Sequence, residues 1–179
     1  ATDATSSNFF GPAAGGTAIN AHDSNFFGSE AGSEATDAYY SNFFGYNAGY
    51  QATNARNSNF FGIASGAGAT DAIHSNFFGE ASGGAAAYAN NSNFFGTYAG
   101  NASTNAANSN FFGPNAGRSA TNAYISNFIG LDAGNGATYA TRSIFIGNEA
   151  GFGAATNSDY DGDNSGIYFD SIFLGYQSG

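Results

Sequence analysis

The chain has 179 residues, 13 carboxylates against three arginines (Arg56, Arg118, Arg142), no lysine and a formal net charge of -10. That field is the wrong sign for nucleic acid, the absence of Cys removes disulfides, thiolate nucleophiles and Cys-based zinc sites, and no apolar run approaches the roughly 20 residues of a membrane-spanning helix. An aromatic share of 17% argues against disorder, and an acidic, lysine-free chain that does not open on Met reads as a processed, secreted or excised product, expected to be extracellular or at the cell surface.

One pattern dominates from the N-terminus onward. Ser-Asn-Phe-Phe-Gly begins at Ser7, Ser24, Ser41, Ser58, Ser75, Ser92 and Ser109, continues as Ser-Asn-Phe-Ile-Gly at Ser126 and becomes Ser-Ile-Phe-Ile-Gly at Ser143, each start 17 residues after the last. A tenth copy, Ser-Ile-Phe-Leu-Gly, starts at Ser171, 28 residues after Ser143, which is one repeat plus an insertion of 11 at about 158–168. Numbered from its Ser, the repeat reads S-N-F-F-G-x-x-A-G-x-x-A-T-x-A-x-x.

A period of 17 is too short for a helical hairpin, and a Gly at positions 5 and 9 of each repeat would cost a helix about 1 kcal/mol apiece. Short aromatic segments separated by Gly, Asn and Ser predict an all-β, parallel β-solenoid (a β-helix or β-roll) of about ten coils, one repeat per coil, forming a single domain over 1–179. Coils stacked at about 4.8 Å make a rod roughly 48 Å long on which like residues line up in ladders.

Positions 3 and 4 are neighbours on one strand, so their side chains point to opposite faces. Position 3 is Phe in every coil: Phe9, Phe26, Phe43, Phe60, Phe77, Phe94, Phe111, Phe128, Phe145 and Phe173. Position 4 is Phe in seven coils and Ile129, Ile146 and Leu174 in the last three. Tolerance of Phe, Ile and Leu is the behaviour of a core filled by volume, which points to position 4 inside, against the small Ala of positions 8, 12 and 15, and to position 3 outside. The reverse assignment exposes position 4 instead, and a local bulge would tuck both inside. An outward ladder exceeds the apolar patch that soluble monomers usually expose. On the favoured assignment the ten position 3 Phe residues are therefore the expected interface between copies of the chain around a two-fold or three-fold axis.

The two ends suit one another. Ala1 to Ser6 match positions 12 to 17, Gly179 falls at position 9, and neither end carries a polar cap or a Lys to block strand addition. Such a chain is expected to stack head to tail into a filament, or to be a piece of a longer array.

Toward the C-terminus, the insertion supplies the candidate chemistry. Asp159, Asp161 and Asp163 alternate, and Asp170 follows at the twelfth place, as oxygen ligands do in a calcium loop of the EF-hand type, although Gly162 is displaced from its usual place. A solvated acidic loop is the competing reading, and Ca2+ is the only cofactor implied. Position 14 alternates acid and amide (Asp3, Asn20, Asp37, Asn54, Asp71). Carboxylates on alternate coils, about 9.6 Å apart, approach the spacing of an inverting glycosidase. Dilution of like charge along a ladder explains the same alternation, and the expectation is a protein without enzymatic activity. A partial Thr file at position 13 (Thr36, Thr53, Thr70, Thr104, Thr121, Thr138) raises ice binding as the alternative function, and surface glycans or ice are the other partners considered beside the chain itself.

The string Ser-Asn-Phe-Phe-Gly-x-x-Ala-Gly-x-x-Ala-Thr-x-Ala resembles the β-roll head repeats of trimeric autotransporter adhesins, and repeats of phage tail-fibre-like and bacterial surface proteins, over nearly the whole chain. The coil is longer than the adhesin repeat. The resemblance implies a left-handed roll, a trimer and adhesion. Together these readings predict a self-assembling structural protein of an extracellular fibre, filament or adhesin stalk, whose partner is another copy of itself.

Overall fold

Each Ser-Asn-Phe-Phe-Gly segment becomes a three-residue strand. In the computed structural model, which describes residues 1–154 and 171–179, the strands are β1 (Asn8–Phe10), β2 (Asn25–Phe27), β3 (Asn42–Phe44), β4 (Asn59–Phe61), β5 (Asn76–Phe78), β6 (Asn93–Phe95), β7 (Asn110–Phe112), β8 (Asn127–Ile129), β9 (Ile144–Ile146) and β10 (Ile172–Leu174). They form one ten-stranded parallel sheet in sequence order, with like positions paired. The chain is a parallel β-solenoid, as its period predicts. Ile172 pairs with Ile144 and Phe173 with Phe145, so the ladder keeps its register across the 28-residue step. A second line of single bridges joins position 13 of successive coils from Thr2 to Thr138.

Between strand and bridge the chain makes three overlapping β-turns per coil. In the third coil, Ala48 N–H donates to Gly45 O (3.2 Å), Tyr50 N–H to Asn47 O (3.1 Å) and Ala52 N–H to Gly49 O (3.1 Å). The third residue of each turn is left-handed (Asn47 φ 55°, Gly49 φ 65°, Gln51 φ 55°), which is the type II pattern. Positions 14 and 17 are left-handed as well, as at Asn54 and Asn57. A non-glycine residue in this region costs on the order of 1 kcal/mol. The compensation is that the backbone N–H groups not used in turns point along the rod: Asn47 donates to Ser29 O on the coil before and Gly49 to Ser65 O on the coil after.

The structure reverses the expected orientation of the two Phe rows. Phe26, Phe43, Phe60, Phe77, Phe94, Phe111, Phe128 and Phe145 are completely buried, and Phe9 and Phe173 pack against the same core at its ends. The cause lies across the coil, at the glycine of position 9. A Cβ on Gly32 would stand 2.3 Å from the Phe26 ring, and the same contact recurs along the rod. The ring therefore lies directly on backbone, flanked by fully buried Ala at positions 8, 12 and 15 (Ala31, Ala35 and Ala38 in the second coil). A slot shaped by a glycine and three alanines accepts one planar side chain only. Invariance at position 3 is the mark of this close-packed core, and tolerance at position 4 is the mark of the outer face.

Neighbouring core rings are nearly parallel, with centroids 4.7–4.8 Å apart from Phe26 through Phe128. Since faces in contact are separated by about 3.5 Å, the rings are offset-stacked and tilted to the rod axis. Beside them runs a buried serine ladder. Ser24 Oγ donates to Ala38 O (2.7 Å) and accepts from Ser41 N–H (3.1 Å), which satisfies both partners inside the core.

Candidate functional site

With position 3 inside, the outer face of the sheet is built from positions 2 and 4. Position 2 is a continuous amide ladder. From Asn8 through Asn110 each Nδ2 donates to the Oδ1 of the Asn one coil on, at 2.8–2.9 Å, and Asn127 is the last acceptor. Each amide spends one donor and one acceptor on its neighbours, so the row is rigid and in register. Ile144 and Ile172 end it.

Position 4 is a second stack of rings. Phe27, Phe44, Phe61, Phe78 and Phe95 follow at 4.8 Å with planes within 8° of parallel, and Phe10 and Phe112 extend the stack at wider spacing. The middle rings are half-buried by one another, whereas Phe10 (73% exposed) and Leu174 (64%) stand open at the ends. Stacking covers the ring faces and turns ring edges outward. That disfavours face-on stacking of sugar rings, which needs an open aromatic face. Neither row contains a charged residue. From first coil to last the face runs nine intervals of about 4.8 Å, or about 43 Å, and a three-residue strand is about 10 Å wide.

The other candidates sit elsewhere on the rod. Asp159, Asp161, Asp163 and Asp170 lie outside the described residues, and the ten position 3 Phe residues expected at an interface form the core. At position 14, Asn20 Nδ2 donates to Asp37 (2.7 Å) and Asn54 Nδ2 to Asp71 (2.8 Å). An amide thus stands between successive carboxylates, as charge dilution requires. Arg56 lies 3.7 Å from Asp37, bonds Asn54 Oδ1 (3.0 Å) and stacks over Tyr39, whose other neighbour is the parallel ring of His22 at 4.8 Å. This His22–Tyr39–Arg56 column follows position 16; His74 stands apart from it, at position 17 of the fourth coil. The position 13 Thr residues are paired in register and half-exposed, in a single file that Ile19 and Ala87 interrupt.

Fold and face define a repeat protein of the parallel β-solenoid class, with a stacked aromatic row inside and a second one outside. Compared with protein-family models, curated proteins and solved structures, the chain has no match, so its chemistry is read from its own residues.

Proposed function

We propose that the protein is a non-enzymatic structural rod that associates with copies of itself through the outer face, as a unit of an extracellular fibre or adhesin stalk. The observation that carries this reading is the uncharged double row of Asn amides and Phe edges running the length of the sheet. Burying it against a second copy desolvates no charge and takes the exposed edges of the Phe row out of water. The size of the face sets the strength. About 43 Å by 10 Å is roughly 400 Å² per copy, below the 800 Å² per partner of a standard stable interface. Pairing is therefore weak and concentration-dependent, which suits a rod held at many points along a fibre.

Light scattering across a concentration series tests this. The expected result is a mean mass rising above the 18.1 kDa of one chain, and a return to that mass in Phe61→Ser/Phe78→Ser with its far-UV spectrum intact. A constant monomer mass up to millimolar protein would refute the proposal. The half-exposed Thr file supports ice binding as a second reading, and thermal hysteresis that survives the Phe61→Ser/Phe78→Ser change would favour it over self-association.

A further inference from the structure

The glycine at position 5 of each coil sits between two outward rows. On one side is the Phe ladder of position 4. On the other is position 6, where Tyr46 (52% exposed) and Ile63 (56%) follow each other and an exposed Glu80 comes next. The glycine row cannot acquire side chains: a Cβ on Gly62 would stand 2.5 Å from Gly79 O, and one on Gly45 2.4 Å from Gly62 O. These glycines are half-exposed, so the strip between the rows is open to solvent along its length. Over the third to fifth coils this strip has a backbone floor, the stacked Phe row along one side and Tyr46, Ile63 and Glu80 along the other. Its period is one rung, about 4.8 Å.

We propose that the channel beside Phe44, Phe61 and Phe78, closed on its other side by Tyr46, Ile63 and Glu80, binds a linear, planar aromatic cation lying parallel to the rod axis. Three features select that class. The floor has no side chains, so a flat molecule lies against backbone while a bulky or puckered one does not. The Phe row is apolar along the rod and Tyr46 and Ile63 face it on successive coils, so a ligand elongated in that direction covers the most apolar surface and gains from burial. The charge is one-sided. Glu80 ends the apolar wall at the fifth coil, Glu30 stands at position 7 of the second coil, one coil before Tyr46, and no Arg falls at positions 2 to 7. Arg118, from position 10, is engaged over the Tyr98 ring one coil beyond Glu80. A cation is attracted and an anion of the same shape is repelled.

The probe is thioflavin T, a linear planar aromatic cation, titrated into protein held at a concentration where light scattering gives a constant mass. The expected result is a saturable fluorescence rise, with at least tenfold weaker binding in Ile63→Lys and in Glu80→Lys. Both substitutions sit on exposed side chains and are expected to leave the melting temperature unchanged. Congo red, linear and planar but anionic, is expected to bind at least tenfold more weakly than thioflavin T. Equal binding of the two dyes, no saturable signal, or full binding by both variants would each overturn the proposal. So would a signal confined to the assembled fraction after gel filtration. Should either variant lose its fold, Tyr46→Ser replaces it with the same expectation of weakened binding. The channel is a property of one rod, so a monomeric mass would refute self-association and leave this site standing.

Discussion

Replacing Phe77 by Ala, and separately its strand neighbour Phe78 by Ala, separates the two rows most directly. Phe77 is fully buried, stacks on Phe60 and Phe94 at 4.8 Å on either side, and rests on Gly83, where a Cβ would come within 2.2 Å of the ring. Truncation leaves a ring-sized void in a slot lined by Gly83, Ala86 and Ala89, with a buried Ser82 in place of the position 8 alanine, and these short side chains cannot close in. Core Phe→Ala changes cost about 3–5 kcal/mol, and here two stacking contacts of about 0.5–1.5 kcal/mol each are lost with the ring. The expected loss is therefore near the upper end, about 5 kcal/mol. Phe78 makes the same two stacking contacts, with Phe61 and Phe95, but is half-exposed, so its truncation loses contacts and partial burial without a void, about 2–3 kcal/mol. Urea unfolding followed by circular dichroism gives both numbers. Because coils touch only their neighbours, a void in mid-rod is also expected to split the Phe77→Ala transition into two. Equal losses, or a larger loss for Phe78→Ala, would refute the assignment of position 3 to the interior.

Three further outcomes follow from the coil geometry. Gly66→Ala places a Cβ 2.3 Å from the Phe60 ring at φ +64°, whereas Gly68→Ala meets nothing nearer than 4.0 Å at φ +69°, in a row that already holds Ala85 and Ala102. Thermal melting is expected to show about 1 kcal/mol lost for Gly68→Ala and at least twice that for Gly66→Ala. Ile125, β-branched yet left-handed at φ 57°, occupies a row that elsewhere holds Asn57, Asn91 and Asn108 in the same conformation, so Ile125→Asn is expected to raise stability by about 1 kcal/mol. The Tyr50 hydroxyl donates to the Glu34 carboxylate (3.2 Å), and that bond, followed by desolvation and the charges of Glu34 and Glu30, holds its pKa above the ordinary value of 10.0. The neutral phenol is the favoured form, so the contribution is complete below pH 10 and is lost as pH rises through the elevated folded value. In an absorbance titration, Glu34→Gln is expected to move this one tyrosine back toward the ordinary range; a titration curve identical to that of the unaltered protein would refute the contact.

Much of the architecture is legible in the repeat alone. The recurrence of Ser-Asn-Phe-Phe-Gly sets the coil length and the parallel, in-register ladder, because identical residues at a fixed period can stack only on themselves. The small residues at positions 8, 12 and 15 announce a narrow core, and strand alternation requires Phe9 and Phe10 to face opposite ways. Alternation carries no sign, however. Which Phe points inward depends on what lies opposite it in the closed coil, and position 9 meets position 3 only once the turns over positions 5–8 and 7–10 have folded the chain back. The signal was present in the joint invariance of Phe at position 3 and Gly at position 9, since a ring seated on backbone tolerates no change in either partner. Left-handed residues at positions 7, 11 and 17 were hidden for a different reason. They carry Ala, Glu, Tyr and Ile as readily as Asn, because hydrogen bonds to the coils above and below, rather than local preference, hold them there. The outer face was thus the last feature to emerge: its amide ladder and ring edges are ordinary residues of a short strand until stacking puts them on one line.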